Sequence, residues 1–118
     1  MNRLLGILLF VFSANVFSAA QQQQPLFTEN GNSFLAQCGN YEAAPATCTA
    51  YVGGVMDGRN SMDKPGFCLP DHVTYGQMVR VSIKYMQTHP ESLHLPTTWL
   101  VILANAEAFP CPATKKPH

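Results

Sequence analysis

Charged residues are scarce in this sequence, and neither sign is concentrated in one part of it. Lys and Arg together number 7, Asp and Glu together also number 7, and the four types make up 12% of the chain. A surface that binds nucleic acid or an anionic membrane requires clustered Lys and Arg. Because such clusters are missing, we expect no nucleic acid and, for the mature chain, no membrane among the partners.

The sequence also lacks the motifs of the common catalytic sites. It contains no GxSxG, HExxH, GxGxxG or P-loop pattern, each of which marks a specific arrangement of nucleophile, metal or phosphate ligands. The acidic residues are dispersed, and no two of them can be assigned to one cleft. We therefore expect a protein that is not an enzyme and that needs no cofactor.

Strand patterns are missing as well. No segment shows the sustained alternation of apolar and polar residues, bounded by turn residues, that is typical of a β-strand. Helical spacing recurs instead, and we predict an all-α fold, a small four-helix domain stapled by two disulfides. The predicted helices are SFLAQCGNY, ATCTAYVGGVMDGRNSM, residues 75 to about 88, and TTWLVILANAEAF.

The boundaries of two helices can be predicted from local signals. Thr74 and Gln77 form a capping box that starts the third helix at Thr74, and Pro90 ends it because the residue before a proline avoids helical geometry. The first helix is expected to end at Gly39 or Asn40, residues suited to a left-handed C-terminal cap.

Apolar residues repeat at helical spacing on the later helices and are assigned to the core. On the second helix they are Cys48, Tyr51, Val52, Val55 and Met56; on the third, Tyr75, Met78, Val79, Tyr85 and Met86; on the fourth, Trp99, Ile102, Leu103 and Ala106. Leu100, Val101 and Ala104, elsewhere on the fourth helix, predict that it is the most buried of the set. If Trp99 were exposed, it would instead indicate a protein interface. The glycines of the second helix, Gly53, Gly54 and Gly58, favour close helix packing over a backbone contact with a ligand.

The first twenty residues have the pattern of a secretory signal peptide. Arg3 precedes an apolar run from Leu4 to Phe12, and small residues at Ser18 and Ala20 precede the expected cut before Gln21. The alternative, a membrane anchor, is disfavoured because the run is shorter than the roughly 20 residues that span a bilayer. We therefore expect export, and periplasmic localisation if the source is a Gram-negative bacterium.

The remainder divides into three parts. Residues 21–31 contain a glutamine run and are expected to form a disordered lead-in, residues 32–112 form the helical domain, and residues 113–118 form a short tail. Removing the signal peptide leaves 118 minus 20, or 98, residues. A domain of this size is only marginally stable on its core alone.

The sequence has four cysteines, Cys38, Cys48, Cys68 and Cys111. An even number in a small exported domain indicates two disulfides, and three pairings are possible. If the first and second helices form one antiparallel hairpin and the third and fourth another, Cys38–Cys48 and Cys68–Cys111 are favoured because this pairing needs no chain crossing. A metal site using His72, His89, His94 or His118 is the alternative, but no CxxC or HxxxH spacing supports it, and we expect no metal.

Four stretches, taken in order, resemble the Rap/Tai family of type VI secretion immunity proteins. They are FLAQC, CTAYVGGVMDG, FCLPDHVTYGQMVRVSIKYMQTHPESLHLP and WLVILANAEAFPCP, and they cover the chain from about Phe34 to Pro112. The resemblance implies a disulfide-linked, all-helical periplasmic protein that protects its maker from a peptidoglycan amidase delivered by neighbouring cells. Such proteins bind the toxin and occlude its active site, often as dimers.

The matched residues are mostly structural, so the residues that contact the toxin have to be sought elsewhere. Two loops that the disulfides leave projecting, Asn60 to Gly66 and His89 to His94, are our candidates. The candidate contact residues are Asp63, Lys64, His89, Glu91 and His94. The alternative function is that of a periplasmic stress chaperone or another binding protein on the same scaffold, since a shared fold does not establish a shared function.

Overall fold

A computed structural model describes residues 30–113 and shows an all-α domain. Its helices are α1 (Gly31–Cys38), α2 (Ala46–Asn60), α3 (Tyr75–Thr88) and α4 (Thr97–Ala108). Two short 3₁₀ turns, Tyr41–Ala43 and Pro90–Ser92, lie in the connections, and the described residues contain no strand. The predicted all-α fold is confirmed. The predicted signal peptide, all but the end of the lead-in and nearly all of the tail lie outside the described residues.

The third helix begins where the capping pattern predicts. The Thr74 side-chain oxygen accepts a hydrogen bond from the Gln77 backbone N–H at 3.1 Å, which satisfies one of the free donors at the helix start. The first helix is capped in the same way, because Asn30 Oδ1 accepts from the Ser33 backbone N–H at 3.1 Å. Local chemistry therefore fixes the start of both helices.

The predicted left-handed cap of the first helix is wrong. Gly39 has a right-handed φ of −62°, and its backbone N–H donates to the Leu35 carbonyl. A Cβ atom at Gly39 would clash with that carbonyl oxygen. Glycine suits this position because the backbone passes so close to α1, and its freedom at positive φ is not used.

Both disulfides have the favoured pairing, and they lie in different environments. Cys38–Cys48 joins the end of α1 to α2, and both cysteines are fully buried. Cys68–Cys111 joins the segment before α3 to the segment after α4, and both cysteines are exposed. The second bridge holds the start of α3 close to the end of α4. The two helices therefore run in opposite directions and form an antiparallel hairpin.

The core lies between this hairpin and the other two helices. Helix α2 packs against both α3 and α4, and α1 also contacts both. Phe67, just before the exposed bridge, is buried and inserts the preceding connection into the core. The other large buried side chains include Phe34, Val52, Met56, Val79, Met86, Leu100 and Val101.

The predicted core face of α4 is wrong. Trp99 is 64% exposed and Leu103 is 40% exposed, and Ile102 and Ala106 are half-buried. The buried residues of this helix are Thr97, Leu100, Val101, Ala104 and Asn105. Helix α4 is apolar around most of its circumference, so helical spacing alone does not distinguish the inner face from the outer one. Tyr75 at the start of α3 was also assigned to the core and is 45% exposed.

One buried polar contact joins the two helices of the hairpin. Asn105 Nδ2 on α4 donates to Ser82 Oγ on α3 at 3.1 Å and to the Val101 carbonyl at 2.9 Å. Ser82 Oγ in turn donates to the Met78 carbonyl at 2.8 Å. Because buried donors without partners are costly, this contact favours one register of α3 against α4 over its neighbours.

Candidate partner-binding surface

The loop Asn60–Gly66 is held in shape by a side chain of the helix before it. Arg59 Nε donates to the Pro65 carbonyl at 2.8 Å, and Nη1 donates to Met62 Sδ at 3.2 Å. Gly66 closes the loop with a φ of 85°, a left-handed conformation that glycine adopts without strain. The loop is therefore restrained at both ends, and its first residues continue the helical hydrogen bonding of α2, because the Ser61 backbone N–H donates to the Asp57 carbonyl at 3.1 Å.

The tip of this loop exposes charged and apolar side chains to solvent. Asp63 and Lys64 are exposed, and Met62 is 55% exposed. The loop also borders an open cleft of about 620 Å³, whose other wall includes the exposed disulfide Cys68–Cys111 and Pro112. One acidic, one basic and one flexible apolar side chain thus stand side by side on a restrained loop.

A strained residue lies between the exposed disulfide and α3. His72 is exposed and has a φ of 68°, a left-handed conformation that costs a non-glycine residue roughly 1 kcal/mol or more. In the sequence, His72 stands out only as a possible metal ligand. Its conformation was missed because a single histidine in a loop gives no sequence signal for positive φ.

The loop His89–His94 is built differently. The His89 Nδ1–H donates to the Tyr85 carbonyl at 2.8 Å, and the imidazole stacks on the Tyr85 ring with 4.1 Å between centroids. His89 is consequently half-buried against the end of α3, whereas Glu91 and His94 are exposed. Of these three candidates, only Glu91 and His94 have exposed side chains.

The two candidate loops are not brought together. The first lies beside the Cys68–Cys111 end of the α3–α4 hairpin, and the second is the connection at the opposite end. Helix α3 has 14 residues, so about 21 Å of helix separates the two ends. A single narrow protrusion that enters a cleft can therefore use one of these loops but not both.

The outer face of α4, which we define as Trp99, Ile102, Leu103 and Ala106, is a second accessible surface. It carries the most exposed large apolar side chain of the described residues, Trp99. Its neighbour Thr98 is linked to Tyr51 of α2 by a hydrogen bond between hydroxyls at 2.9 Å, so this end of α4 is fixed to the domain. Exposed tryptophan on a fixed helix is typical of a protein interface.

Small side chains form a groove along the exposed side of α2. Ala46, Ala50, Gly53 and Gly54 line it together with Tyr75. The Tyr75 hydroxyl donates to Asp57 Oδ2 at 2.7 Å, and this hydrogen bond to a carboxylate, together with its negative charge, raises the pKa of Tyr75 above the usual 10.0. The ring is thereby held over the α2 backbone.

The predicted close packing explains only one of the three glycines of α2. A Cβ at Gly53 would lie 3.1 Å from the Tyr75 ring, whereas a Cβ at Gly54 or Gly58 would meet nothing within 4 Å. Contacts within the described residues therefore give no reason for the last two. Each weakens the helix by about 1 kcal/mol relative to alanine.

The metal site that is the alternative to disulfide bonding finds no support in the described residues. Between residues 30 and 113, no group of three or more His, Cys, Asp or Glu side chains is placed to hold one. Over the same range, no helix combines the length and apolar character needed to cross a membrane.

Alanine substitutions at Gly53 and Gly54 test whether contact with the Tyr75 ring restricts the first position and leaves the second free. We expect Gly54→Ala to raise the free energy of unfolding by about 1 kcal/mol, because alanine is the better helix former. Gly53→Ala should gain less or lose stability, since the Tyr75 ring must move. Urea unfolding of both variants measures the difference. Equal stabilisation by both substitutions would show that the Tyr75 ring does not restrict Gly53.

Comparison with known proteins identifies a sequence family for this domain. The sequence model of the family described as Rap1a immunity proteins matches residues 30–111. The match begins at the residue that caps α1 and ends at the second cysteine of the exposed disulfide, so it spans all four helices. No curated protein and no solved structure matches the chain.

Proposed function

The chain belongs to the family of Rap1a immunity proteins, and from this premise we propose that it is a periplasmic immunity protein that inhibits a peptidoglycan amidase delivered by type VI secretion. The observation that carries the proposal is the family match, which extends over the whole helical domain. The two disulfides support an oxidising compartment outside the cytoplasm. The amidase as target rests on the resemblance noted in the sequence.

Inhibition by occlusion suits the loop Asn60–Gly66 better than the loop at the other end. Arg59 restrains it, so less conformational entropy is lost when it enters a cleft. Met62 supplies an apolar contact at the tip, and Asp63 and Lys64 supply charges that can select the correct partner. We propose that this loop enters the amidase cleft and that Glu91 and His94 lie outside it.

Capture experiments with the oxidised, mature protein test the proposed function. We expect it to retain an amidase from the secreted and periplasmic proteins of the source strain, and to abolish the cell-wall hydrolysis that this amidase catalyses. Retention of many unrelated proteins with hydrolysis unchanged would contradict the proposal and favour the chaperone alternative.

Two double variants distinguish the ends of the hairpin. Asp63→Ala with Lys64→Ala should weaken binding of the captured amidase by about 1 kcal/mol or more, the range of residues that matter at an interface. Glu91→Ala with His94→Ala is the matched control, because it also removes one acidic and one titratable basic side chain from an exposed loop. Isothermal titration calorimetry measures both affinities.

The control pair also defines the contradicting result. If Glu91→Ala with His94→Ala weakens binding more than the first pair does, the loop at the α3–α4 connection contacts the toxin and our assignment is wrong. Circular dichroism of both variants should match that of the parent protein, because all four side chains are exposed.

We further propose that the outer face of α4 pairs with the same face of a second copy. A twofold interface places one patch against the same patch of the second copy, so a patch with charges of a single sign would be repelled. The four residues of the outer face of α4 are uncharged, and the single charge within this helix, Glu107, lies one turn beyond Leu103 at the edge of that face. An uncharged apolar face with a central tryptophan is therefore suited to self-association.

Replacing the two exposed apolar residues of this face tests self-association. Trp99→Ala with Leu103→Ala should convert dimers into monomers in sedimentation velocity while changing the free energy of unfolding of the protomer by no more than about 0.5 kcal/mol per site, as for other surface substitutions. Met62→Ala, which removes an exposed apolar side chain elsewhere, is the control. A parent protein that is monomeric at all concentrations would contradict the proposed dimer.

A further inference from the structure

The two disulfides differ sharply in their access to solvent. Both cysteines of Cys38–Cys48 are 0% exposed and belong to the hydrophobic core. Both cysteines of Cys68–Cys111 are exposed, and the bridge borders the open cleft beside the loop Asn60–Gly66. Because a thiolate must reach a sulfur atom to attack it, the rate of thiol–disulfide exchange depends on this access.

The exposed bridge restrains the segment that follows the loop. Arg59 holds the loop at Pro65, and Cys68, two residues beyond Gly66, is bonded to Cys111. The only other restraints on this short segment that link it to the hairpin are the burial of Phe67 and a backbone hydrogen bond from Cys68 N–H to the Phe109 carbonyl at 2.9 Å. Opening the bridge removes the covalent restraint and leaves these two.

The four helices have other contacts that hold them together when this bridge is open. Cys38–Cys48 joins α1 to α2 from within the core, and the buried faces of α3 and α4 remain in contact through Ser82 and Asn105. Losing the exposed bridge lowers the stability of the whole domain, whereas the native geometry that it loosens is that of the cleft and the loop beside it.

We infer that Cys68–Cys111 is a reducible latch on the partner-binding loop: a dithiol reductant opens it in the folded protein, leaves Cys38–Cys48 intact and loosens Asn60–Gly66. The effect on partner binding rests on the proposed function, whereas the selective reduction does not. The reduced form would then be a folded protein with weakened affinity for its toxin.

The exchange is balanced by a dithiol as the electron donor. One thiolate of the reductant attacks a sulfur of the bridge, the Cys68–Cys111 bond breaks, and the released thiolate takes up a proton. The second thiol of the reductant then loses its proton and displaces the remaining cysteine from the mixed disulfide. Two electrons pass to the protein, which gains two thiols, and the reductant ends as its own disulfide.

The first test needs no partner. The protein is incubated with dithiothreitol without denaturant, the free thiols are alkylated at intervals, and peptides are analysed by mass spectrometry. We expect Cys68 and Cys111 to be alkylated completely before Cys38 or Cys48 is detectably modified, with helical circular dichroism unchanged. Simultaneous modification of all four cysteines, or resistance of all four, would overturn the inference.

Hydrogen exchange then reports on the loop. After selective reduction and alkylation, backbone amides in residues 61–66 should exchange faster, while those of α2 and α3 should keep their protection. The alkylated parent protein serves here even if Cys68→Ser with Cys111→Ser fails to fold. Unchanged exchange in the loop would show that the bridge does not restrain it.

Binding separates this inference from the function on which it rests. The selectively reduced protein should bind the captured amidase about tenfold more weakly than the oxidised protein does, a difference of about 1.4 kcal/mol. Equal affinities of the two forms would overturn the latch while leaving the immunity function in place. If the oxidised protein binds no amidase at all, the proposed function fails, and the alkylation and exchange results decide the latch by themselves.

Discussion

The contact between α3 and α4 is the interaction on which the rest of this domain depends. Helices α1 and α2 both pack against this pair, and the candidate loops lie at its two ends. The buried hydrogen bond between Ser82 and Asn105 fixes the register of an interface that is otherwise apolar. A slip of one helix past the other would break the bond between the Asn105 amide and Ser82, so the same contact that joins the helices also sets where their ends project.

The rest of the stability comes from restraints that a small core needs. A domain of fewer than about 100 residues buries too little apolar surface to be robust by that means alone. Each disulfide contributes about 2–4 kcal/mol in the chain-entropy description. The buried bridge also occupies core volume, since both its cysteines are packed among apolar side chains, whereas the exposed bridge acts only as a link between chain segments.

Features that depend on nearby residues could be predicted from the sequence, and features that depend on the tertiary environment could not. The Thr74 cap and the disulfide pairing follow from short-range chemistry and chain connectivity, and both are confirmed. The prediction of the buried face of α4 failed because apolar residues occur around most of this helix. Only the packing of the neighbouring helices decides which of them are buried. The restraint of the loop by Arg59 and the backbone geometry of His72 leave no pattern in the sequence. The residues that contact a partner are the least predictable from the sequence, because their role depends on a surface that is not part of this chain.

The order of the cysteines along the chain has a consequence for how the protein matures. The first cysteine is bonded to the second and the third to the fourth, with sequence separations of 10 and 43. In the export that we propose, the N-terminus leads, so Cys48 would follow Cys38 closely across the membrane, before either cysteine of the second pair emerges. An oxidase that joins thiols in the order in which they arrive would then form both native bonds without a disulfide isomerase.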